Sequence, residues 1–470
     1  MRRTLGLVCA FLVAGAPGAA AQESLEVGRF GQVTLYRASP HPRHVVLFAS
    51  GDGGWNQGVV DMARALADQD ALVVGIDLPH YLRRIASRRE SCSYFAGDLE
   101  ALSQQLQKQL ARPRYTAPVL VGYSSGATLV YAALVQAPPN TFRGAISLGF
   151  CPALPLAKPA CRGQGLEEGP RSAAKRAEFL PAPALASPWI ALQGELDQVC
   201  EPEPTEAFAK RVGHGEIAML PGVGHGFSVP SRWLPQLRAA FDRIAAGAAL
   251  VGGSEPDPAF GSALIAGLPL VERLPSRAAA GDLMAVLVSG DGGWAGLDRE
   301  LAGALADQGV PVAGLDSLQY FWTRRSPEEA SSALGRMLEH YLAAWRKQRA
   351  LLIGYSRGAD VLPFMASHLP ASALERVALV ALLGPGTHAE FEFHLVDWLR
   401  DERRPQALPV LPEVEKLRGR RVLCVYGRDE ADSLCPRIPK GLAALEERPG
   451  GHHFGGDYRA IAERILAAAR

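Results

Sequence analysis

The stretch Leu351-Leu352-Ile353-Gly354-Tyr355-Ser356-Arg357-Gly358-Ala359 decides the fold, because in it an apolar run leads directly into a serine flanked by two glycines. The spacing Gly-x-Ser-x-Gly suits a sharp strand-to-helix turn, since glycine lets neighbouring backbone segments approach closely without a Cβ clash. Such a turn raises the serine hydroxyl above the end of a sheet. A single match to so short a motif is a weak signal.

The motif occurs a second time, within a long internal repeat. The earlier copy is Pro118-Val119-Leu120-Val121-Gly122-Tyr123-Ser124-Ser125-Gly126-Ala127. The loop Ser50-Gly51-Asp52-Gly53-Gly54-Trp55 likewise returns as Ser289-Gly290-Asp291-Gly292-Gly293-Trp294. A repeat of this length is a domain rather than a solenoid unit. We predict a signal peptide (1–21), a first domain (22–246), a linker (247–258) and a second domain (259–470).

Apolar runs of strand length alternate with helix-like segments in both copies. This alternation, with continuously apolar strands, predicts two tandem α/β-hydrolase-like domains, each a mostly parallel sheet covered by helices. Helices are expected at 59–68, 99–110 and 127–135. The predicted strands are 45–48, 72–76, 118–121, 145–148 and 189–193 in the first copy, and 284–288, 312–315, 349–353, 377–382 and 421–426 in the second.

Composition limits the partners and the compartment. The 49 basic and 48 acidic residues nearly cancel, which argues against broad electrostatic binding to nucleic acid. Arg2 and Arg3, the apolar run that follows them and the small residues before Gln22 are typical of a secretory signal peptide. We therefore expect an exported protein.

Six of the seven cysteines follow the predicted signal peptide, and export permits disulfides between them. Cys424 and Cys435 pair if the two halves are not cross-linked. In the first copy Cys200 pairs with Cys92, Cys151 or Cys161, and Cys151 is favoured because its loop should leave the same sheet edge. No Cys-x-x-Cys spacing is present, so neither a metal site nor a cofactor is predicted.

The serines are followed by acid and histidine candidates in the chain order of α/β-hydrolase sites. A serine hydroxyl becomes nucleophilic when a histidine, held by a carboxylate, takes its proton. In the first copy these residues are Ser124, Asp197 and His225.

The acid and the base of the second copy each have two candidates. Asp432 lies three residues before a cysteine, as Asp197 does in the first copy, which favours Asp432 over Asp429. The glycine before His452 matches the one before the first-copy histidine, which favours His452 over His453. The predicted second set is therefore Ser356, Asp432 and His452.

Backbone N–H groups for an oxyanion hole are available in both copies. The Ser-Gly-Asp-Gly-Gly-Trp loop follows an early strand, where such hydrolases place one donor, and the residue after the serine supplies the other. A flexible turn without function is the alternative. The predicted residues are Gly51, Asp52 and Ser125 in the first copy, and Gly290, Asp291 and Arg357 in the second.

Several motifs together resemble the bacterial virulence protein family VirJ, and the two-copy layout is similar to its longer AcvB-like members. The resemblance is closer in the second copy than in the first, where Ser125 stands for Arg357 and Gly226 for His453. The motifs are Ser-Gly-Asp-Gly-Gly-Trp, Gly-Tyr-Ser-Arg-Gly-Ala-Asp, Leu383-Gly384-Pro385, Phe391-Glu392-Phe393-His394 with Trp398, Asp432-Ser433-Leu434-Cys435-Pro436 and Gly451-His452-His453-Phe454.

The resemblance implies a periplasmic hydrolase that releases lysine from lysyl-phosphatidylglycerol, associated with type IV secretion and virulence. The residues alone support serine-dependent ester hydrolysis. The alternatives are an adaptor or binding protein for secretion, and a carboxylesterase or lipase.

An aminoacylated phospholipid as substrate sets a requirement for charged side chains near the serine. Carboxylates would bind the ammonium groups. Asp291 and Asp360 are the candidates, with Glu392 as a further one, and Arg324 or Arg325 could contact the phosphate.

Overall fold

The computed structural model describes residues 21–170, 176–247, 263–276, 281–393 and 407–470. The predicted signal peptide up to residue 20 and residues 248–258 of the predicted linker lie outside these ranges. His394 and Trp398 of the motifs quoted above also lie outside them.

The first domain is built on an eight-stranded sheet. Its strands are β1 (Ala21–Val27), β2 (Gly31–Arg37), β3 (His44–Ala49), β4 (Ala71–Ile76), β5 (Val119–Tyr123), β6 (Gly144–Leu148), β9 (Trp189–Gly194) and β10 (Gly215–Leu220), and β7 (Ala153–Pro155) pairs separately with β8 (Arg176–Glu178). The order is β1-β2-β4-β3-β5-β6-β9-β10. All neighbours from β4 to β10 are parallel, and the antiparallel pairs β1–β2 and β2–β4 extend one edge.

The second domain repeats this arrangement with seven strands. They are β11 (Leu270–Arg273), β12 (Leu283–Val288), β13 (Val312–Leu315), β14 (Arg349–Tyr355), β15 (Val377–Leu383), β18 (Val422–Gly427) and β19 (Ala444–Arg448), with a separate pair of β16 (His388–Ala389) and β17 (Leu408–Pro409). The order is β11-β13-β12-β14-β15-β18-β19, and only the edge pair β11–β13 is antiparallel.

Helices connect the parallel strands and cover the sheets. In the first domain they are α1 (Gln57–Ala67), α2 (Leu78–Ala86), α3 (Phe95–Gln109), α4 (Ser125–Gln136), α5 (Pro202–Ala209) and α6 (Leu234–Gly247). In the second they are α7 (Gly296–Asp307), α8 (Ser317–Tyr320), α9 (Pro327–Ala344), α10 (Arg357–Ser367), α11 (Ala371–Leu374), α12 (Leu411–Lys416) and α13 (Tyr458–Ala468). Among the described helices, none is both long and apolar enough to cross a bilayer.

The core lies on both faces of each sheet. Along β14, Leu352 packs into the core on one face, and Leu351 and Ile353 pack into the core on the other. Because successive strand side chains alternate between faces, a strand buried on both sides must be continuously apolar. Each such leucine contributes about 2 kcal/mol by burial. The predicted fold class and the ten predicted strands are confirmed, whereas the outer strands β1, β2 and β10 of the first sheet and β11 and β19 of the second were not predicted.

The strand order creates the crevice that holds each site. In the first domain the chain passes from β3 outward to β4 and then returns to β5 on the other side of β3. In the second it makes the same reversal through β12, β13 and β14. Ligands of open α/β sheets bind at such a reversal, beyond the carboxyl ends of the strands. The glycine loop and the serine turn leave the two central strands at this point.

A polar and aromatic contact joins the first domain to the second. The indole of Trp322 donates to the Arg112 carbonyl oxygen at 2.8 Å, and Gln319 donates to that of Tyr115 at 3.0 Å. The buried side chains of Tyr115, Leu318, Trp322 and Phe393 form one cluster. Trp322 is therefore a residue of the interface between the two domains.

Candidate active site

Both serines occupy the same unusual backbone conformation. Ser124 has φ 56° and ψ −123°, and Ser356 has φ 53° and ψ −122°. A non-glycine residue with this geometry costs about 1–3 kcal/mol, so surrounding contacts must enforce it. The N–H of Ser124 donates to the Leu148 carbonyl, and that of Ser356 donates to the Leu383 carbonyl, each at 2.9 Å. In each domain the serine turn is thus bound to the adjacent strand.

The glycines of the motif are required by close packing. A Cβ on Gly354 would lie 2.4 Å from the Gly358 carbonyl oxygen, and one on Gly358 would lie 2.1 Å from that of Val288. The corresponding distances at Gly122 and Gly126 are 2.1 and 2.2 Å. The strand-to-helix turn predicted from the sequence is present in both domains.

The first domain contains a hydrogen-bonded chain of serine, histidine and aspartate. His225 Nε2 lies 3.0 Å from Ser124 Oγ, and His225 Nδ1 lies 2.8 Å from Asp197 Oδ2. The fully buried Asp197 carboxylate also accepts from the N–H groups of Val199 and Cys200 and from the Gln193 side chain. This arrangement holds the histidine in the orientation that a general base for Ser124 needs.

Asp197, Cys200 and His225 are also close enough together to suggest a metal site, with ligand atoms within 4.8 Å. Cys200 forms a disulfide with Cys151, which removes its thiolate. His225 is hydrogen-bonded to both Asp197 and Ser124. We therefore interpret this group as hydrolytic machinery.

In the second domain a different residue from the predicted one contacts the histidine. The Glu430 carboxylate forms a short hydrogen bond with His452 Nδ1, and its other oxygen accepts from the Gly427 N–H at 2.6 Å. Asp432 and Asp429 are both exposed. The choice of Asp432 is therefore corrected to Glu430 as the carboxylate that holds His452.

A local signal for Glu430 was present in the sequence. Asp197 is the third residue after the last glycine of β9, and Glu430 is the third after the last glycine of β18. Both close the same kind of turn, since the N–H of each donates to that glycine's carbonyl at 3.2 and 3.1 Å. Counting from cysteine failed because Cys200 pairs with Cys151 while Cys435 pairs with Cys424, so the cysteines are not equivalent.

The two histidines occupy equivalent positions. Gly149 and Gly384, both with positive φ, lie behind His225 and His452, and a Cβ there would come within 3.3 and 2.8 Å of the ring. Tyrosines 123 and 355 lie against the two rings at centroid distances of 5.6 and 5.2 Å.

His452 rather than His453 takes this equivalent position. His453 is exposed, and its Nδ1 lies 3.3 Å from the Tyr355 hydroxyl. Among the described contacts, no hydrogen bond joins His452 to Ser356. Catalytic hydrogen bonds often become short only when substrate is bound.

The glycine loops lie beside the serines. A Cβ on Gly51 would lie 3.0 Å from Ser124 Cβ, and one on Gly290 would lie 3.5 Å from Ser356 Cβ. Ser125 and Arg357 begin α4 and α10, whose N-terminal ends favour negative charge. The predicted oxyanion residues of each copy are thus grouped around one serine, with Asp52 exposed and Asp291 half-buried.

The tryptophan that ends each glycine loop packs against the sheet. A Cβ on Gly75 or Gly314 would lie 2.1 Å from the ring of Trp55 or Trp294, respectively. The indoles therefore fill the space that these glycines leave on β4 and β13. This packing supports the loops.

Half-buried carboxylates surround the second site. Burial raises the pKa of Asp360 to about 7, against the opposing effects of the Gly386 N–H and the charges of Arg357 and His452. Burial and the charge of Asp291 raise the pKa of Glu100, on α3 of the first domain, to about 8. Glu100 and Asp291 line one small cavity of about 40 Å³. The first domain therefore contributes a wall beside the second glycine loop.

The charge of His452 follows from the same surroundings. Burial lowers its pKa, but the hydrogen bond and charge of Glu430, with the charges of Asp291 and Asp360, outweigh burial and raise the pKa above its usual 6.5. The bonds from His452 and Gly427 in turn lower the pKa of Glu430 against the effect of burial. The second histidine thus lies in a field that favours a cation.

Arg324 and Arg325, the two arginines predicted to contact the phosphate, have different surroundings. Arg325 stacks over the Tyr320 ring at 5.2 Å, and Arg324 is exposed. None of the described contacts joins either arginine to Ser356 or His452.

Three disulfides stabilise the loops. Cys151–Cys200 and Cys424–Cys435 are present as predicted, and Cys92–Cys161 completes the set. Cys151–Cys200 joins the loop after β6 to the loop that carries Asp197.

The sheet topology and the serine turns define both domains as members of the α/β-hydrolase fold class with Ser-His-acid candidate sites. The chain belongs to the family described as bacterial virulence protein (VirJ), whose model matches residues 43–148 and 282–470, more than half of the chain. The first match includes Ser124, and the second includes Ser356, Glu430 and His452. No curated protein matches the sequence.

Solved structures similar to parts of this chain include three hydrolases. An α/β serine hydrolase without a lid from Xanthomonas campestris is 20% identical, with 49% of this chain and 95% of that chain covered and a TM-score of 0.31. A dienelactone hydrolase from Anabaena variabilis is 17% identical, with coverages of 49% and 99% and a TM-score of 0.34. A membrane phospholipase A, titled a bacterial virulence factor, is 15% identical, with coverages of 48% and 87% and a TM-score of 0.34.

Proposed function

We propose that the protein is a periplasmic serine hydrolase that cleaves the aminoacyl ester of lysyl-phosphatidylglycerol at the Ser356 site. The observation that carries the hydrolase assignment is the repeated serine turn with a histidine–carboxylate pair beside it, at matching places in both domains. The N-terminal pattern and the three disulfides support export to the periplasm.

The reaction follows from the positions of the groups. His452, held by Glu430, removes the proton of Ser356 as its Oγ attacks the ester carbonyl carbon. The N–H groups around Gly290, Asp291 and Arg357 stabilise the oxyanion, and one such donor is worth about 10²–10³ in rate. His452 then protonates the departing glycerol oxygen, and water releases lysine from the serine.

The carboxylates near Ser356 support a cationic acyl group. A lysyl ester carries two ammonium groups. Asp291 on the glycine loop and Asp360 in the first turn after Ser356 are half-buried acids, and Glu100 lines the small cavity beside Asp291. Because burial raises the pKa values of Asp360 and Glu100, an ammonium that displaces water there would restore their ionised forms. The family membership supports the same substrate. Arg324 and Glu392 remain proposed outer contacts with the headgroup.

The test is a headgroup-resolved lipid assay with purified protein and vesicles that contain lysyl-phosphatidylglycerol. Ser356→Ala should remove most lysine release, because loss of the nucleophile can cost on the order of 10⁶ in kcat. Ser124→Ala should lose less. Equal losses from the two variants, or full activity of Ser356→Ala, would exclude the second domain as the main catalyst.

The same assay separates the alternative functions. A lipase would release fatty acid rather than lysine. A binding protein associated with type IV secretion would release neither, and its secretion phenotype would be unchanged by both serine substitutions.

A further inference from the structure

We infer that the first domain is a second, separate hydrolase, with Ser124 as its nucleophile and an uncharged ester with an apolar acyl chain as its substrate. The inference rests on the first domain's own residues and not on the lipid proposed for the second. The Ser124–His225–Asp197 chain is closed by hydrogen bonds at 3.0 and 2.8 Å. A fold that no longer used Ser124 would have no need to maintain its costly backbone conformation.

The charge that favours a cation in the second site is reduced in the first. Four residues after the serine, Thr128 stands where Asp360 stands in the second domain. Thr128 is fully buried, and its hydroxyl donates to the Cys151 carbonyl. Asp52, the counterpart of Asp291, is exposed to water, which weakens its attraction for an ammonium. An ammonium group would therefore be bound less favourably in the first site than in the second.

The chain segment beside the serine also differs between the two sites. Arg357 donates to the carbonyl oxygens of Glu390 and Glu392 at 3.2 and 3.0 Å and so holds that segment beside Ser356. Its counterpart Ser125 is a short, buried side chain that cannot span such a distance. The second site therefore has a loop that Arg357 holds beside the serine, and Ser125 cannot hold a loop in this way in the first site.

An apolar rim, formed by Leu196, Val199 and Val229, lies on the loops that carry the acid and the base of the first site. These side chains are 63%, 66% and 46% exposed. Leu196 and Val199 flank Asp197 in sequence, and the N–H of Val199 donates to the Asp197 carboxylate at 2.9 Å. Exposed apolar side chains on the loops that hold a site's acid and base offer contacts for an apolar ligand. The rim therefore favours an apolar acyl chain.

The chemistry needs only water as a co-reactant. Ser124 Oγ forms a bond with the carbonyl carbon while its proton passes to His225 Nε2. The bond from that carbon to the alcohol oxygen breaks, and the alcohol leaves with the proton from His225. Water then attacks the acyl-serine, with His225 again taking and returning a proton, and a carboxylic acid is released.

The experiment uses full-length protein with p-nitrophenyl octanoate as the probe ester and compares Ser124→Ala with Ser356→Ala. Loss of a nucleophile can cost on the order of 10⁶ in kcat, so Ser124→Ala should leave only the hydrolysis that occurs at Ser356. Ser124→Ala protein that kept half or more of the octanoate activity would overturn the inference. Mass spectrometry after treatment with an uncharged fluorophosphonate should show Ser124 modified, and an unmodified Ser124 would also overturn it.

The apolar chain has its own test. Leu196→Asp with Val199→Asp should raise KM for the octanoate ester and leave KM for p-nitrophenyl acetate nearly unchanged, while Leu445→Asp on β19 serves as the exposed-leucine control. Equal effects on both esters would overturn the chain assignment. The outcome is distinguishable from the proposed lipid activity: if no variant releases lysine but Ser124 hydrolyses the octanoate, only the second domain's proposed function fails.

Discussion

Replacing Glu430 by glutamine tests which carboxylate holds the second histidine. In the structure one carboxylate oxygen accepts from His452 Nδ1–H and the other from the Gly427 N–H. Glutamine has the same shape but only one acceptor oxygen. If that oxygen turns to His452, the Gly427 N–H faces an NH₂ group. If it turns to Gly427, the NH₂ group faces Nδ1, which must then accept, and the proton moves to Nε2.

The second arrangement removes the base, because a protonated Nε2 in the neutral ring cannot take the proton of Ser356. A carboxylate-to-amide change at this position of a serine-protease triad lowers kcat by about 10⁴, and we expect a loss of about 10³–10⁴ here. A 10⁴-fold loss corresponds to about 5.5 kcal/mol in the activation free energy. Asp432→Asn is the matched control, and because Asp432 is exposed it should stay within about twofold, since exposed side chains contribute little.

The assay is lysine release from lysyl-phosphatidylglycerol vesicles, measured in a Ser124→Ala background so that only the Ser356 site acts. Circular dichroism and thermal unfolding of each variant check that the fold is retained. A large loss in Asp432→Asn together with near-normal activity in Glu430→Gln would refute the reasoning. It would show that the loop rearranges and that Asp432 is the acid in the working enzyme.

Four further outcomes are expected. In the Ser124→Ala background, Asp291→Asn should lower lysyl-lipid hydrolysis more than hydrolysis of a neutral short-chain ester, and equal losses would assign Asp291 to loop shape alone. The charge of Asp291 helps to raise the pKa of His452, and His452 must be neutral to act as a base. The acid limb of the pH–rate profile should therefore move to lower pH in Asp291→Asn. An unchanged limb would contradict this. Gly314→Ala should displace the Trp294 ring, which would lie 2.1 Å from the new Cβ, and so reduce kcat at the Ser356 site. Gly303→Ala on α7 is the control, because a Cβ there meets no other atom, and it should leave kcat unchanged. Normal kcat in both variants would show that the loop tolerates the shift. Replacing Cys151 and Cys200 by serine should lower the free energy of unfolding by ~4 kcal/mol, because the disulfide closes a loop with a sequence separation of 49 residues. Replacing Cys424 and Cys435, which are separated by 11 residues, should lower it by ~3 kcal/mol. Calorimetry that reverses this order would refute loop closure as the cause.

The sequence by itself determined the duplication, the alternation of strands and helices along the chain, and the serine turns. These depend on short-range physics. Apolar runs of strand length must be buried on both faces, and the glycines around Ser124 and Ser356 are required because any Cβ would meet backbone atoms. The position of Asp197 also followed, since it lies in the loop directly after a predicted strand, and the chain order of α/β-hydrolase sites led to His225 near the end of the domain.

Only the tertiary structure decided which side chains meet. Glu430, Asp429 and Asp432 share one loop, where counting from the glycine favours Glu430 and counting from the cysteine favours Asp432. Only the structure shows that the two cysteines are not equivalent and that Glu430 faces the histidine. The burial of Trp322 between the domains and the approach of Glu100 to Asp291 likewise join segments far apart in sequence. Such contacts depend on how the sheets and helices pack in space, and local propensity and periodicity carry no information about those distances.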